Sequence, residues 1–275
     1  MTALSLKIMN QLDDAACGPT CLQAIYNYYG DKISLKEVEQ QAHSLSGGGT
    51  LAVLLANHAL KRGYKVKIYT YDLDIFDPSW FDKKTNISEK LREQLRYKKG
   101  NKFRYASKAF LEFLNLGGVV EFQDLNAALL RKYLHSNIPI LAGLSSTYLY
   151  RSPREYYRKS ESRYDDVRGV PIGHFVVLLG LDDKNGRVIV ADPYKDNPLS
   201  KDNYYSVEIG RIVNAIMLAV ETYDSNLVII EPKDSKIKLK ESKEKFLRPE
   251  GEKRESFFSR YFYRLSKLLT KDKKR

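Results

Sequence analysis

Two short apolar runs separated by a turn signal constrain this 275-residue chain more than any other feature. Phe175 to Leu181 and Arg187 to Ala191 flank Asp182-Asp183-Lys184-Asn185-Gly186. An Asn-Gly pair between β-rich runs predicts a tight hairpin, so the two strands lie antiparallel and adjacent. His174 opens the first run and Asp192 closes the second. The pairing therefore sets an imidazole and a carboxylate opposite one another at one end of a sheet. Ile138 to Leu144 and Leu227 to Ile230 have the same character and are expected in that sheet.

The first half reads as mainly helical. Ser34 with Glu37 forms a capping-box pattern, and Thr50 opens a helix from Leu51 to Arg62 that Gly63 stops. Tyr64 to Tyr71 alternates with period two and reads as a strand, while Asp124 caps a helix through about Leu134. Helical insertions rich in Lys, Arg and aromatics lie between them. The expected class is α+β, an N-terminal helical part packed against an antiparallel sheet.

The helical part carries a thiol in a telling place. Cys17-Gly18-Pro19-Thr20-Cys21 starts a helix that runs to about Tyr29, with Gly18 allowing a tight bend and Pro19 suiting the first turn. Unpaired N–H groups and the macrodipole at a helix N-terminus favour a thiolate, the nucleophilic form of cysteine. Gln11, six residues earlier, carries an amide able to donate to a developing oxyanion. His174 is placed to take the thiol proton, and Asp192 to hold the imidazole in the required tautomer. Each residue alone has a plainer reading: a buried apolar Cys, or a strand-edge His beside a turn Asp. Amide, thiol, imidazole and carboxylate in that order, on a helix followed by a sheet, point jointly to acyl-transfer chemistry. His43, His58 and His135 fall in or beside helices without an acidic partner placed by local geometry and read as structural. Cys21, one turn past Cys17, is expected to point into the core.

Composition narrows the class further. A chain 43% hydrophobic and 29% charged reads as globular, and no run approaches the ~18 apolar residues of a membrane span. Two cysteines four apart make no disulfide framework and no zinc site, so no metal or cofactor is expected, and a cytoplasmic location is. The net charge of +12 is uneven, because Lys233 to Arg275 holds sixteen basic and seven acidic residues. That leaves only +3 for residues 1–232, which argues against a nucleic-acid-binding core. Within the tail, Phe257, Phe258, Tyr261, Phe262, Leu265, Leu268 and Leu269 share a helical face amid Arg and Lys. Three regions follow: a domain over 1–232, a charged flexible linker over 233–251, and a basic amphipathic helix over 252–275. That helix suits an anionic membrane surface, a partner protein, or its own domain.

Gln11, Asp14, Cys17-Gly18-Pro19-Thr20-Cys21, Gly173-His174-Phe175-Val176-Val177 and Ala191-Asp192-Pro193 together resemble the bacteriocin-processing, double-glycine leader peptidases, a papain-like cysteine peptidase family. The resemblance covers residues 8 to about 232. It implies Cys17 as nucleophile, His174 as general base, Asp192 as its orienter and Gln11 as oxyanion-hole donor, acting on a peptide or protein substrate. Gly47-Gly48-Gly49-Thr50 and Ser145-Ser146-Thr147-Tyr148 look like the stand-alone members, and the chain has no phosphate-binding Gly-Lys-Thr/Ser loop of the transporter fusions. Two insertions, Asp72 to Gly118 and Tyr150 to Gly169, depart from the family pattern. The second reads either as a lid over an acidic or extended peptide or as a solvated loop. A non-catalytic peptide-binding module, and an amidase or transamidase using the same thiol, are the alternatives.

Overall fold

The computed structural model describes residues 2–42, 49–82, 84–158, 161–220 and 223–234. All belong to one unit, Met1–Lys240. The linker and amphipathic helix expected over 233–275 lie outside the described residues from 235 onward, as do His43, Gly47 and Gly48.

One mixed sheet organises the chain. In chain order its strands are β1 (Thr2–Ala3), β2 (Lys65–Thr70), β3 (Val119–Glu121), β4 (Ile140–Ser145), β7 (Gly173–Asp182), β8 (Arg187–Ala191), β9 (Tyr204–Glu208) and β10 (Asn226–Glu231). A separate two-stranded sheet, β5 (Glu155–Arg158) with β6 (Glu161–Tyr164), lies within the second insertion. The helices are α1 (Cys17–Tyr28), α2 (Leu35–Gln41), α3 (Ala52–Lys61), α4 (Ile87–Tyr97), α5 (Asn101–Asn115), α6 (Ala127–Leu134), α7 (Ser146–Tyr150) and α8 (Ile209–Met217). The strands run β3-β2-β10-β4-β7-β8-β9, with β1 pairing the far end of β7. All neighbours are antiparallel except β2 and β3. The helical first half thus also supplies β2 and β3.

β7 is a continuous apolar run because both its faces are covered. Phe175, Val177 and Leu179 join the core formed with α1, α3 and α5. Val176 and Leu178 join a second core with α6 and α8. The same alternation splits Val228 and Ile230 from Leu227 and Ile229 on β10. α1 is buried from Cys17 to Tyr26, which makes it the central helix of the first layer.

Several local expectations change in detail. The Ser34–Glu37 capping box is present as read. The helix expected from Asp124 is capped instead by the Asn126 side chain, which accepts from the Leu129 N–H at 3.0 Å. Leu51, not Thr50, is the N-cap of α3, and no side chain caps it. Gly18 is not at a positive φ, so it provides no bend. Its role is close approach, since a Cβ there would meet Thr50 Cγ2 at 2.6 Å and Leu55 Cδ1 at 2.9 Å. In the β7–β8 turn only Gly186 takes a left-handed φ, of 61°. Asn185 contributes through Asp182, donating its side-chain N–H to Oδ2 at 2.7 Å. The β7–β8 register shifts between Leu178 and Gly180, which pairs Ala191 with Val177. His174 and Asp192 therefore share one end of the sheet without being direct cross-strand partners, and Asp192 reaches His174 diagonally through its side chain.

Candidate active site

Cys17 is the first residue of α1, behind Ala16, and no side chain caps the helix there. Pro19 falls within the first turn, where no helical hydrogen bond needs its missing N–H. Thr20 turns its hydroxyl back to the Ala16 carbonyl at 2.8 Å, which fixes that turn. Cys17 is buried and lies near enough to His174 to be among the groups that raise its imidazole. Cys21 is fully buried and donates its S–H to the Phe175 carbonyl at 3.3 Å, joining α1 to β7. Burial, with Cys17 and Asp192 nearby, pushes its thiol well above the ordinary range.

His174 Nε2 lies 2.8 Å from Asp192 Oδ1. An ionised carboxylate only accepts, so Nε2 carries the proton and the other ring nitrogen is left to face the thiol. Asp192 has no exposed surface, and four donors hold it. Oδ1 also accepts from the Tyr194 N–H at 2.9 Å. Oδ2 accepts from the Tyr150 hydroxyl at 2.7 Å and the Tyr205 hydroxyl at 2.6 Å. Its backbone is pinned as well: Asn203 Nδ2 donates to the Asp192 carbonyl at 2.7 Å, and the Asp192 N–H donates to the Asn203 carbonyl at 2.8 Å.

The electrostatics follow from this burial. Burial alone pushes the Asp192 carboxyl up, but His174 and the two tyrosine hydroxyls overcome it and hold it below its ordinary value. Burial likewise pulls the His174 imidazole down, yet the Asp192 charge, its hydrogen bond and Cys17 carry it up to about 10. Both shifts favour an imidazolium–carboxylate pair.

Gln11 is brought to the same place. Its backbone N–H donates to the Pro193 carbonyl at 2.9 Å, so the segment bearing the amide is tied to the residue after Asp192. Its side-chain Nε2 donates to the Asp13 carbonyl at 2.9 Å, while Oε1 is buried and accepts nothing from the described residues. Asp13, next to the Asp14 of the family resemblance, organises this loop by accepting the Ala15 N–H at 2.8 Å.

The remaining histidines described have other partners. His58 is buried between the Tyr26 hydroxyl at 2.8 Å and Gln41 Oε1 at 3.1 Å. His135 has no local acidic partner but meets a distant one, because the β7–β8 turn brings Asp183 to 3.2 Å. Tyr150, Tyr205 and Asn203 were not legible as site residues. Tyr205 left one faint signal, the alternation of Tyr204-Tyr205-Ser206-Val207, in which Tyr205 and Val207 face inward. Among the described residues no group of three or more His, Cys, Asp or Glu is arranged to hold a metal, and no helix is long and apolar enough to cross a membrane.

The Peptidase_C39-like family model matches residues 3–210, about three quarters of the chain. The chain belongs to the Peptidase_C39-like family. That membership makes it a cysteine-type peptidase acting on peptides. Solved structures with a similar fold include the peptidase domain of Streptococcus ComA, a bifunctional ABC transporter of a quorum-sensing pathway. It is 12% identical, covering 82% of this chain and 98% of that one, with a TM-score of 0.40. A C39-like peptidase from Bacillus anthracis is 14% identical over 84% of this chain and 97% of its own, with a TM-score of 0.46. Xylellain, a cysteine protease from Xylella fastidiosa, is 13% identical over 83% of each chain, with a TM-score of 0.39. No curated protein matches this C39-like peptidase.

Proposed function

We propose that this peptidase hydrolyses peptide bonds through Cys17, His174 and Asp192, with Gln11 and the Cys17 backbone N–H as oxyanion donors. The observation that supports the reading is the buried Asp192 carboxylate, saturated by four donors, one of them the His174 imidazole whose basicity Cys17 helps to raise. Ionised Asp192 accepts a hydrogen bond from Nε2–H and raises the basicity of the imidazole, so the Cys17 proton passes to His174 and leaves a thiolate beside an imidazolium. The thiolate sulfur attacks the substrate carbonyl carbon, and the C=O pair moves onto oxygen. That oxygen is met by the Cys17 N–H at the uncapped start of α1 and by the second amide N–H of Gln11, whose first N–H is spent on Asp13. Imidazolium returns its proton to the leaving amine as the C–N bond breaks, leaving a thioester on Cys17. Water, deprotonated by His174, then releases the acid and restores the thiol.

Residues 1–232 constitute the peptidase domain in this reading, and 233–275 an appendage. Alkylation by iodoacetamide tests the roles. Wild type is expected to label at Cys17, Cys17→Ala not at all, and His174→Ala far more slowly. Undiminished labelling of His174→Ala would remove the assigned base.

A further inference from the structure

The insertion before His174 is a built hairpin, and both its ends are anchored in the site. Tyr150, which donates to Asp192, precedes Glu155 by five residues, and His174 follows Val170 by four. Glu155 and Val170 close the root through two backbone hydrogen bonds, 3.1 and 2.9 Å. Gly169 packs so tightly there that a Cβ would meet the Asp165 carbonyl oxygen at 2.4 Å. Asp165 in turn accepts the Val167 N–H and the Arg168 N–H and side chain.

The β5–β6 register pairs Glu155 with Tyr164 and Tyr157 with Ser162, so Glu155, Tyr157, Ser162 and Tyr164 share one face. On that face the Ser162 hydroxyl donates to Glu155, and Tyr157 and Tyr164 stand in diagonal positions. Tyr157 is 70% exposed and Tyr164 61%. The other face is covered differently, with Arg168 stacked on Tyr156 at 4.9 Å. An isolated two-strand ribbon is marginal alone, and proteins seldom leave aromatic pairs on one without a partner. Along β6 the outer edge pairs with no described strand.

The hairpin lies between two segments that reach the catalytic residues, one ending in Tyr150 and the other beginning at His174. Tyr194 feels Tyr164 and Glu155, which after burial are among the causes that raise its phenol. From Tyr194 the ring of Tyr150 is 6.3 Å away, and from Tyr150 the His174 ring is 6.2 Å away. Tyr194 and Tyr150 thus form an aromatic pair that ends on the imidazole, and the hairpin bearing Tyr157 and Tyr164 is rooted in the chain between Tyr150 and His174.

We propose that this hairpin is a substrate exosite, where an extended segment of the peptide being cleaved adds to the free edge of β6 and rests its apolar side chains on Tyr157 and Tyr164. The inference rests on the peptidase reading above and names the substrate class, an extended peptide with apolar residues away from the scissile bond. Strand addition supplies affinity through main-chain hydrogen bonds, while Tyr157 and Tyr164 supply preference at alternate side chains.

The test is digestion of a proteome-derived peptide library by wild type and by Tyr157→Ala/Tyr164→Ala, with new termini read by mass spectrometry. Wild type is expected to require a minimum length and to select apolar residues distal to the cleavage site. The double variant should cleave at the same bonds, lose the distal preference and fall about tenfold or more on long peptides, as two aromatic contacts imply. Its rate on short peptides and its Cys17 alkylation should stay those of wild type. A Ser162→Pro variant, which stiffens β6 and removes an N–H, should show the same length-selective loss. Retention of the distal preference, or equal loss on short and long peptides, overturns the exosite. A wild type that labels at Cys17 but cleaves no peptide overturns the peptidase reading instead, a separable signal.

Discussion

Gly18 offers the sharpest test of how the fold places the thiol. A methyl at this position would sit 2.6 Å from Thr50 Cγ2, 2.9 Å from Leu55 Cδ1 and 3.3 Å from Phe175 Cδ2. Carbon atoms rest at about 3.5–4.0 Å, so Gly18→Ala demands a retreat of roughly 1 Å between the first turn of α1 and α3. Thr50, Leu55 and Phe175 are all buried, and none can swing into solvent. Overpacking of this kind costs about 1–3 kcal/mol. Cys17 is the adjacent residue, and a 1 Å misplacement of a reacting group costs about 10²-fold in rate. Activity should therefore fall much more than stability. Urea unfolding and Cys17 alkylation, measured on the same preparation, separate the two effects. Gly210→Ala in α8 is the control, because a Cβ there meets nothing within 4 Å and φ is not left-handed. It should be neutral or stabilising by up to about 1 kcal/mol. Gly18→Ala with a wild-type midpoint and wild-type alkylation would refute the packing argument.

The tyrosine pair and the ion pair give further expectations. Tyr205→Phe or Tyr150→Phe removes one charge-assisted donor from Asp192, whose carboxyl then rises. The acid limb of peptide hydrolysis should move upward by about one pH unit in each, and an unmoved limb would deny the hydroxyls their role. For stability the signs differ by partner. His174 is raised from 6.5 to about 10, so its contribution is complete below 6.5 and lost as pH rises through about 10. Asp192 is lowered from 3.8, so its contribution is present above 3.8 and lost as pH falls below it. The difference in unfolding free energy between wild type and His174→Ala should be largest between pH 4 and 6.5 and vanish above about 10. A difference independent of pH would mean that the pair is not ionised.

Much of the site was legible because it depends on short-range pattern. β8 is Arg187–Ala191 as read, and the turn that reverses the chain brings His174 and Asp192 to one end of the sheet. Cys17 heads α1 because Pro19 and Thr20 both favour the first helical turn. What escaped depends on tertiary contact. The register of the β7–β8 ladder leaves no trace in hydrophobic alternation, so the diagonal reach of Asp192 was unavailable. Tyr150 and Tyr205 lie forty-two and thirteen residues from Asp192, and nothing local marks a hydroxyl as a donor to it. Asp124 and Asn126 are both competent caps, and only the backbone path chose Asn126. The β5–β6 hairpin was read only as a lid or a loop because its four-residue strands carry Arg, Ser and Glu instead of an apolar run.

Thioester chemistry at Cys17 is the claim on which the rest depends. Its most direct measurement is rapid acid quenching of wild type during turnover of a peptide it cleaves, followed by mass analysis of the Cys17 fragment. The account predicts an acyl adduct equal in mass to the amino-terminal product less water, absent from Cys17→Ala, which should yield no new termini. Cleavage of the same bond by Cys17→Ala would contradict it.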